Sequence, residues 1–514
     1  MNTSQKKQAF NPYLPLDTYV PDGEPHVFGD RLYVFGSHDK EGGDKYCMLD
    51  YEGFSAPLDN LADWRSEGII YRSSQDPTHS EKYSYLYAPD VVQGNDGRYY
   101  LYYALSYQSF TGPIHVAVCD TPAGSYEYYG EVRYPDGRTF DRGITFDPGL
   151  LNDNGNIYLY YGWAISAPQM RHKTKEELEQ IRPTIRQVEL SMFEKTEEQL
   201  ARETDGLQGA NVVRLADDML TVIEGPKRIA PGQVDAAGTP FEGHAFFEAS
   251  SIRKIGDTYY FIYSSEVCHE LCYATSQYPD RDFHYRGVIV SNGDIGYHGI
   301  DEEHRLAVTG NDHGSIVCVN GQWYIFYHRH TNKTCFSRQG CAEKITILPD
   351  GTIPQVEMTS CGLSDGPLAP AGSYPAPIAC NLTNDHLPDK IDRETHIAYI
   401  TCDRGERIIK DISDSFRVGY KYFAFDGPVT LGVVVRGKAR GILEICHGGW
   451  HHRQTGHRSV RKLEDADRPH RSQRHKGPLS DLPRGRRFRY EGIFSLRNIR
   501  EKLRIKNGCS DTLF

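Results

Sequence analysis

A phrase made of a glycine turn and an aromatic strand recurs five times along the chain. It occurs as GDRLY, DGRYY, NGNIY, GDTYY and NGQWY, and its closing tyrosines are Tyr33, Tyr100, Tyr158, Tyr260 and Tyr324. The intervals between these tyrosines are 67, 58, 102 and 64 residues. Such periods are typical of radial folds in which each copy is one small antiparallel sheet. The chain is therefore predicted to be all-β, with a five-bladed β-propeller as its main domain.

Composition and the positions of Pro/Gly-rich segments divide the 514 residues into four parts. Aromatic and β-branched runs fill residues 11–358, the predicted propeller. A Pro/Gly-rich linker at 359–380 precedes renewed strand alternation at 381–445, which predicts the start of a smaller β-sandwich accessory module. The tail at 446–514 has 17 Lys and Arg against seven Asp and Glu and loses the alternation. We expect this tail to be poorly ordered or the product of a reading-frame shift; a nucleic-acid-binding tail is the alternative.

An insertion explains the long interval of 102 residues. Residues 174–203 are rich in charge, contain Pro183, and open with Thr174 and Glu177 at the spacing of a capping box. This pattern predicts a surface insertion between blades three and four, with some helix that is broken at Pro183.

The charge balance limits the partners. The net charge is −11, and the part before residue 446 is more acidic still, because the tail carries a surplus of basic residues. An acidic body disfavours nucleic acid and anionic membranes as the main partner and suits a neutral ligand. The printed sequence has no secretory signal and no run of 18 apolar residues, so we expect a cytoplasmic protein outside the membrane.

The cysteine pattern gives a weak metal signal. Of the twelve cysteines, Cys268 and Cys272 form the closest pair, around His269 in EVCHELCYA. A zinc site built on such a pair usually has a second half elsewhere in the chain, and this sequence has none. The pattern therefore favours reduced cysteines of a strand or turn over a zinc site.

A polar residue precedes each closing tyrosine by ten to twelve positions. These residues are Asp22, Asp90, Asp147, Glu248 and His313. In a propeller this offset predicts a place at the innermost strand, facing the central axis, so that all five become neighbours. Clustered carboxylates have pKa values that separate, and one can stay protonated near neutral pH. Glycoside hydrolysis needs such a separation between an acid and a base. Turn capping is the alternative for any single member.

The order of the local motifs resembles glycoside hydrolase family 43, whose members are five-bladed propeller enzymes acting on arabinose- and xylose-containing polysaccharides. The motifs are VPDGEPH, APD, TFDPGLL, FFEASS and DHGS, within residues 11–358. The resemblance implies an inverting, exo-acting hydrolase that releases arabinofuranose or xylose from oligosaccharides derived from plant polysaccharides such as xylan. Its partner would be an oligosaccharide or polysaccharide substrate.

The resemblance also implies roles for individual residues. Asp22 matches the general base, Asp147 the second aspartate that tunes and orients the acid, and Glu248 the general acid. His313 matches an axial histidine that holds a calcium ion or water in many members, which makes calcium the expected cofactor. Arg338, in CFSRQG, resembles a substrate-binding arginine of the last blade.

The roles of three further residues need to be assigned. The family usually has Asp-Pro at the base, whereas this chain has Asp22-Gly-Glu24-Pro. Glu24 lies only nine residues before Tyr33, outside the range of the other four, so the spacing favours Asp22. Asp90 is predicted either to contact sugar or to be structural, and Trp163 is predicted to lie by the substrate pocket.

Two other functions are compatible with the same sequence. The propeller would be a non-catalytic carbohydrate-binding module if its axial carboxylates only accepted hydrogen bonds from sugar hydroxyls. It would be a glycoside phosphorylase or a fructan-cleaving enzyme if the reaction differed on the same fold. Candidates for both an acid and a base argue against the first alternative. A phosphorylase needs Arg, Lys and His around a phosphate, and the body of the sequence has no such cluster.

Overall fold

Five antiparallel sheets form the main body of the protein, and the predicted all-β, five-bladed propeller is confirmed. The computed structural model describes residues 9–106, 112–171, 173–384, 387–388, 391–427, 429–437, 442–446, 458–462 and 512–513. Blade one consists of β1 (Glu24–Phe28), β2 (Arg31–Phe35), β3 (Tyr51–Pro57) and β4 (Arg65–Tyr71). Blade two consists of β5 (Tyr85–Leu86), β6 (Asp90–Gln93), β7 (Tyr99–Ser106), β8 (Ile114–Cys119) and β9 (Glu127–Glu131), with β5 and β6 both paired to β7.

The other three blades follow the same antiparallel order. Blade three consists of β10 (Gly149–Asp153), β11 (Asn156–Trp163), β12 (Gly209–Leu215) and β13 (Val222–Pro231). Blade four consists of β14 (Phe246–Ile255), β15 (Thr258–Ser265), β16 (Glu270–Ser276) and β17 (His284–Ser291). Blade five consists of β18 (Ile316–Val319), β19 (Gln322–His330) and β20 (Arg338–Ile345).

The repeated glycine phrases are the hairpin turns between the first and second strands of the blades. In blade three Asn154 (φ 51°) and Gly155 (φ 90°) take the left-handed conformation, and in blade five Asn320 (φ 50°) and Gly321 (φ 82°) do the same. Two successive positive φ angles are the requirement of a type I′ turn, which only Asn, Asp and Gly meet at low cost. The turn therefore fixes the register of the first strand of each blade, which lies along the axis.

The ring closes between blades five and one. The first strands contact one another in the order β18, β1, β6, β10 and β14, and Ser251 Oγ lies 2.6 Å from Ser315 Oγ, between β14 and β18. The N-terminal segment also runs along β20, where the Tyr13 N–H donates to the carbonyl oxygen of Gly340 (3.3 Å). The Asn11 side chain exchanges two hydrogen bonds of 2.9 Å with the backbone of Ala342. This pairing joins the beginning of the propeller to its end.

The aromatic residues of the strands fill the spaces between blades. Each pair of neighbouring blades shares one apolar cluster, from blades one and two around to blades five and one. Representative members are Tyr103, Tyr102, Phe261, Tyr327 and Phe326. Large rings suit this position because they cover wide gaps and their hydroxyls reach polar groups at the edges. The high tyrosine content is thus mainly explained by packing between blades.

The insertion contains two helices, α1 (Lys175–Met192) and α2 (Glu197–Ala201). The predicted capping box is present, since the Glu177 N–H donates to Thr174 Oγ1 and the Thr174 N–H to the Glu177 carboxylate. The expected break at Pro183 is wrong, because α1 continues through it and buries Leu178 and Ile185 against the body. Short 3₁₀ segments lie at Ser73–Gln75, Pro168–Met170, Asn292–Asp294, Tyr297–Gly299 and Ala376–Ile378. In the described part of the chain, no helix combines the length and apolar character needed to cross a membrane.

Beyond the propeller the described strands form separate antiparallel pairs. The pairs are β21 (Asn381–Thr383) with β24 (Arg417–Gly419), β22 (Tyr399–Asp403) with β23 (Glu406–Lys410), β25 (Val434–Val435) with β28 (Thr512–Leu513), and β26 (Ile442–Cys446) with β27 (Arg458–Lys462). A β-sandwich at 381–445 and the four-part division of the chain stay predictions. Most of the basic tail at 446–514 lies outside the described residues.

Candidate active site

Four of the five axial residues predicted from the repeat meet at one end of the propeller axis. We call it the upper end, and it is the end at which the first strand of each blade begins. Asp22 and Asp147 each lie two residues before a first strand, Glu248 is the third residue of β14, and His313 lies three residues before β18. All four are buried. The common offset from the hairpin turn therefore brings residues of four blades into one cluster.

Asp22 is a buried carboxylate held by a cation. Its Oδ1 accepts a 2.9 Å hydrogen bond from Arg338 Nη1, and its backbone N–H donates to His328 Nδ1 at 3.3 Å. Burial raises the pKa of Asp22, but the charge of Arg338 and smaller contributions from neighbouring groups together outweigh it and leave the pKa below its ordinary value. Burial holds the pKa of His328 well below 6.5, so this ring is neutral near pH 7 and Arg338 is the cation that matters. Asp22 is ionised and ready to accept a proton.

Asp147 lies beside the acid candidate and the axial histidine. Its Oδ2 accepts the backbone N–H of Ala249 (2.9 Å) and is 3.6 Å from His313 Nδ1. Burial raises its pKa well above the ordinary range, and the neighbouring carboxylates Glu248 and Asp22 add to the effect. Asp147 and Glu248 are thus coupled, and protonation of either group depends on the other.

Glu248 combines a raised pKa with two fixed hydrogen bonds. Burial and the charge of Asp22 raise the pKa of Glu248 to about 7. Trp163 Nε1–H donates to Oε2 at 3.0 Å and the Asn311 side-chain amide donates to Oε1 at 3.3 Å. These donors fix the orientation of the carboxyl group. A carboxyl group with this pKa can give up a proton and recover it near neutral pH.

The backbone is strained at the three carboxylates. Asp22 has φ 57°, Asp147 has φ 46°, and Ala249, which follows Glu248, has φ 69°. Non-glycine residues with such angles are uncommon, and the strain persists only where the surrounding contacts impose it. The positive φ angles at these three positions support the interpretation that function requires the side chains to point in these directions.

Arg338 is buried and joins two carboxylates. Besides Asp22, it donates from Nε and Nη2 to the two oxygens of Asp39 (2.9 and 3.1 Å). Its guanidinium also lies 4.7 Å from the centre of the Tyr46 ring. Only 2% of its side chain is exposed. These contacts place Arg338 where it holds Asp22, and its role in substrate binding stays a prediction.

Trp163, predicted to bind substrate beside the pocket, contacts the acid candidate, and its substrate contact stays a prediction. Its indole is only 6% exposed and packs against Phe193 (5.5 Å) and Phe247 (5.6 Å) between ring centroids. Its ring nitrogen is directed at Glu248. Because Phe193 follows α1 directly, the insertion is linked through Trp163 to the acid candidate.

Asp90 is fully buried, and both of its carboxylate oxygens contact other groups of the protein. Its Oδ1 is 2.6 Å from His26 Nε2 and accepts the Val91 N–H at 2.7 Å, while Oδ2 accepts the Leu150 N–H at 2.7 Å. These contacts join blade two to blades one and three. The structure therefore favours the structural alternative for Asp90 over the predicted sugar contact.

Glu24 lies one step further along the axis from Asp22. Its Oε2 accepts hydrogen bonds from Arg253 Nη2 (2.9 Å) and Ser251 Oγ (3.2 Å). Burial raises its pKa to about 8, despite Arg253 and with a further contribution from Asp90. The neighbours that perturb the pKa of Glu248 and Asp147 include Asp22 and not Glu24. The spacing rule thus selected the aspartate that shares the site with Glu248.

The surroundings of His313 are compatible with a metal ligand but do not amount to a calcium cage. Burial lowers its pKa to about 4, so the imidazole is neutral. Among the described residues it does not belong to a group of three or more His, Cys, Asp or Glu side chains with ligand atoms within 4.8 Å of one another. Calcium takes six to eight oxygen ligands. An ion bound here would take most of its ligands from water.

Sequence reasoning missed the residues that hold the acid and the base. Asp39, Tyr46, His328 and Asn311 all contact Asp22, Glu248 or Arg338, and none lies at the repeated offset. Asn311 gave a local signal, since it stands two positions before His313 in the motif GNDHGS. Asp39 and Tyr46 come from the loop between β2 and β3 in blade one, and His328 comes from the end of β19 in blade five.

Comparisons with known proteins find similar chains. A profile of the family described as Glycosyl hydrolases family 43 matches residues 29–203 and 197–353. A Thermoclostridium stercorarium protein named xylosidase/arabinosidase is 46% identical over 460 residues, which cover 86% of this chain and 88% of that protein. A Humicola insolens protein named xylosidase/arabinosidase 43A is 30% identical over 331 residues, 61% of this chain and 89% of its own. The solved structure of RS223 β-xylosidase aligns with a TM-score of 0.49 at 27% identity and covers 69% of this chain and 99% of that one.

Proposed function

The chain belongs to glycosyl hydrolase family 43, and on that premise we propose that it is an inverting, exo-acting glycosidase that releases arabinofuranose or xylose from oligosaccharides of plant origin. The names of its relatives support both sugars, since the Thermoclostridium stercorarium protein is named for xylosidase and arabinosidase activity together. The reaction class rests on the site itself.

One observation carries the proposal: two buried carboxyl groups in the same cluster have pKa values shifted in opposite directions. Arg338 keeps Asp22 ionised, while burial and the charge of Asp22 raise the pKa of Glu248 to about 7. Two carboxyl groups whose pKa values are moved apart identify the base and the acid of a glycosidase. A sugar-binding module has no need for this separation.

In the proposed reaction, Glu248 protonates the glycosidic oxygen as its bond to the anomeric carbon breaks. Asp22 takes a proton from a water molecule, whose oxygen bonds to the anomeric carbon from the opposite face. The sugar therefore leaves with inverted configuration. Asp147, whose own pKa is raised by burial and by Glu248 and Asp22, lies beside the acid, and Trp163 and Asn311 hold the carboxyl group of Glu248 in place.

Replacement of the acid is the direct test. We expect Glu248→Gln to lower kcat on aryl β-xylosides and α-arabinofuranosides by about 10³-fold, within the range for a missing general acid or base. Glu343→Gln is the matched control, because Glu343 is also buried with a pKa raised by burial to about 8 but lies in blade five among Asn11, Tyr327 and Thr359. It should keep near wild-type turnover. Equal activity of Glu248→Gln and the wild type would refute the assignment.

Stability separates loss of chemistry from loss of fold in that test. Because the folded protein raises the pKa of Glu248 to about 7 from the ordinary 4.5, the unfolded chain ionises first and stability falls as pH rises between those values. A neutral glutamine removes this penalty. The Tm of Glu248→Gln at pH 7 should equal or exceed that of the wild type.

Two observations on the product distinguish the proposal from its alternatives. Proton NMR of the released sugar should show the inverted anomer before mutarotation. Added phosphate should give free sugar and no sugar phosphate, since the Arg338 guanidinium is occupied by Asp22 and Asp39. Formation of the sugar phosphate would favour the phosphorylase alternative.

We also propose that a calcium ion, where one is bound, lies near His313 and is otherwise surrounded by water. Neutral His313 and the adjacent Asp147 carboxyl group support a ligand role. Calorimetric titration of chelator-treated protein with calcium should show uptake that His313→Ala abolishes. Equal uptake by both proteins would place the ion elsewhere.

A further inference from the structure

Blade four holds a second cluster of chemically reactive side chains, built from residues that the glycosidase reaction does not use. His244 Nδ1 lies 2.7 Å from Glu270 Oε1, and Cys272 Sγ lies 3.3 Å from the same oxygen and 3.9 Å from His244 Nδ1. The three ligand atoms thus form a small triangle with one nitrogen, one oxygen and one sulfur. We refer to these three residues as the blade-four triad.

Strand geometry brings the triad together. Glu270 and Cys272 are the first and third residues of β16, so their side chains project from the same face of the sheet. His244 lies two residues before β14, on the other side of β15 from β16. The pairing of β14 with β15 and of β15 with β16 places the beginnings of β14 and β16 beside the end of β15.

The triad was not predictable from the CxxxC pattern. Cys268 lies apart from it and contacts Ser166 Oγ at 3.0 Å, while His269 Nδ1 is 2.9 Å from Ser291 Oγ. The prediction that the CxxxC pattern is not half of a paired zinc motif stays a prediction. Sequence reasoning missed the two partners of Cys272 that the sheet supplies.

We propose that the blade-four triad binds one divalent transition-metal ion of the zinc class, with water as the fourth ligand. Imidazole nitrogen, carboxylate oxygen and thiolate sulfur are the ligands that zinc takes in proteins, at about 2.0 to 2.3 Å. Tetrahedral coordination at those lengths separates the ligand atoms by roughly 3.3 to 3.6 Å. The edge between His244 and Glu270 needs to open by about 0.6 Å and the edge between His244 and Cys272 to close by about 0.3 Å to reach that range.

Charge and access fit the same ion. A thiolate from Cys272 and a carboxylate from Glu270 together neutralise a divalent cation, and binding releases the thiol proton to solvent. Cys272 and Glu270 are buried, whereas 34% of the His244 side chain is exposed. An ion therefore reaches the triad from the side of His244.

Surrounding groups already orient the ligands. The Ser265 hydroxyl donates to Glu270 Oε1 at 2.6 Å, and the Tyr285 ring stacks on the His244 ring at 4.6 Å with 10° between the planes. Such outer contacts fix ligand direction in metal sites. A hydrogen-bonded His244 and Glu270 pair alone would not require a thiol within reach of both, and the position of Cys272 is the feature that favours the metal.

Cobalt titration tests the site directly. Full-length protein without a polyhistidine tag, stripped with EDTA, should bind one equivalent of Co²⁺ and show the absorption of a thiolate-to-cobalt transition, which Zn²⁺ should displace. Cys272→Ser should lose the absorption and bind at least about 100-fold more weakly, since even outer-shell changes cost 10- to 100-fold. Cys268→Ser is the matched control and should retain both. The proposal is overturned if the wild type binds less than one equivalent, or if both serine variants bind equally.

Thermal unfolding gives a second measurement that does not depend on the thiol. An ion that binds only the folded state raises Tm with ion concentration. Zn²⁺ should therefore raise the Tm of the wild type and of Cys268→Ser but not that of His244→Gln. An equal rise in His244→Gln would reject the triad as the binding site. These readouts are independent of glycosidase activity.

Discussion

Asp22 and Glu24 stand two residues apart at the start of blade one, and both are buried beside an arginine. Burial raises the pKa of each, yet the pKa of Asp22 ends below its ordinary value and that of Glu24 rises to about 8. The difference lies in the partners. Arg338 is 2% exposed and gives its side-chain hydrogen bonds to Asp22, Asp39 and one thiol, whereas Arg253 is 14% exposed.

Arg253 also divides its donors more widely. Besides Glu24, it donates to the carbonyl oxygens of Ile316, Ile252 and Pro25. Its carboxylate partner faces a like charge from Asp90 as well, which raises the pKa further. The comparison indicates that burial alone does not decide the ionisation of a carboxyl group. At Asp22 the charge of the buried Arg338, with smaller contributions from neighbouring groups, outweighs burial, whereas at Asp39, which the same arginine binds, burial prevails and the pKa is raised.

The largest expected effect is the difference in kcat between variants of Asp22 and of Glu24. We expect Asp22→Asn to lower kcat by about 10³-fold, because an amide cannot accept the proton of the attacking water. Glu24→Gln should keep kcat near the wild-type value, since Glu24 is largely neutral at pH 7. Steady-state kinetics on an aryl xyloside measures both variants.

Glu24→Gln also has a stability signature. The raised pKa of Glu24 makes the wild type less stable as pH rises from about 4.5 to about 8, and glutamine removes that loss. The variant should therefore match or exceed the wild-type Tm at pH 9. A loss of turnover in Glu24→Gln comparable to that of Asp22→Asn would overturn the comparison and make Glu24 a second candidate base.

The next effect concerns the two arginines. In Arg338→Lys one ammonium group cannot occupy both Asp22 and Asp39, so the pKa of Asp22 should rise. Since the base works when ionised, the acid limb of kcat/KM should move to higher pH by about 1 unit. Arg253→Lys is the matched control and should leave that limb in place. A pH profile of Arg338→Lys that coincides with the wild type would show that another group ionises Asp22.

The repeat explains how much of this site the sequence could predict. Every blade turns from its first to its second strand at the same point, so a fixed offset marks the same height on the axis. Asp22, Asp147 and Glu248 were found in this way. Arg338 and Trp163 were found by local motif or position, but their contacts differ from those expected, because both are buried against carboxylates.

Asp39 and His328, which sequence reasoning missed, have no local signature. Asp39 and His328 reach Arg338 and Asp22 from outside the repeated offset, and their contact depends on the closure of blade five onto blade one. The same limit applies to the blade-four triad, whose ligands are 26 and two residues apart in the chain. The contacts of Asp39 and His328 arise from the closed ring and those of the triad from strand pairing within blade four, and a short sequence motif shows neither.

A smaller effect tests hydrogen bonds instead of charges. The Trp163 N–H stabilises the ionised form of Glu248, so Trp163→Phe should raise the pKa of Glu248 above 7. The acid then stays protonated to higher pH, and the alkaline limb of the kcat profile should move up by less than about 1 unit. Phe247→Leu is the control, because Phe247 packs on the same indole without donating. Equal shifts in both variants would attribute the effect to packing.

The smallest expected effect concerns Ser251, which contacts Glu24. Ser251 Oγ is 3.2 Å from Glu24 Oε2 and 2.6 Å from Ser315 Oγ, and it is fully buried. Ser251→Ala should lower the free energy of unfolding by about 1 kcal/mol, the usual cost of one buried hydrogen bond. Because Glu24 is outside the reaction, the pH profile should not change. A shifted acid limb in Ser251→Ala would mean that the two carboxylates of blade one act as one ionising unit, which Arg338 does not separate.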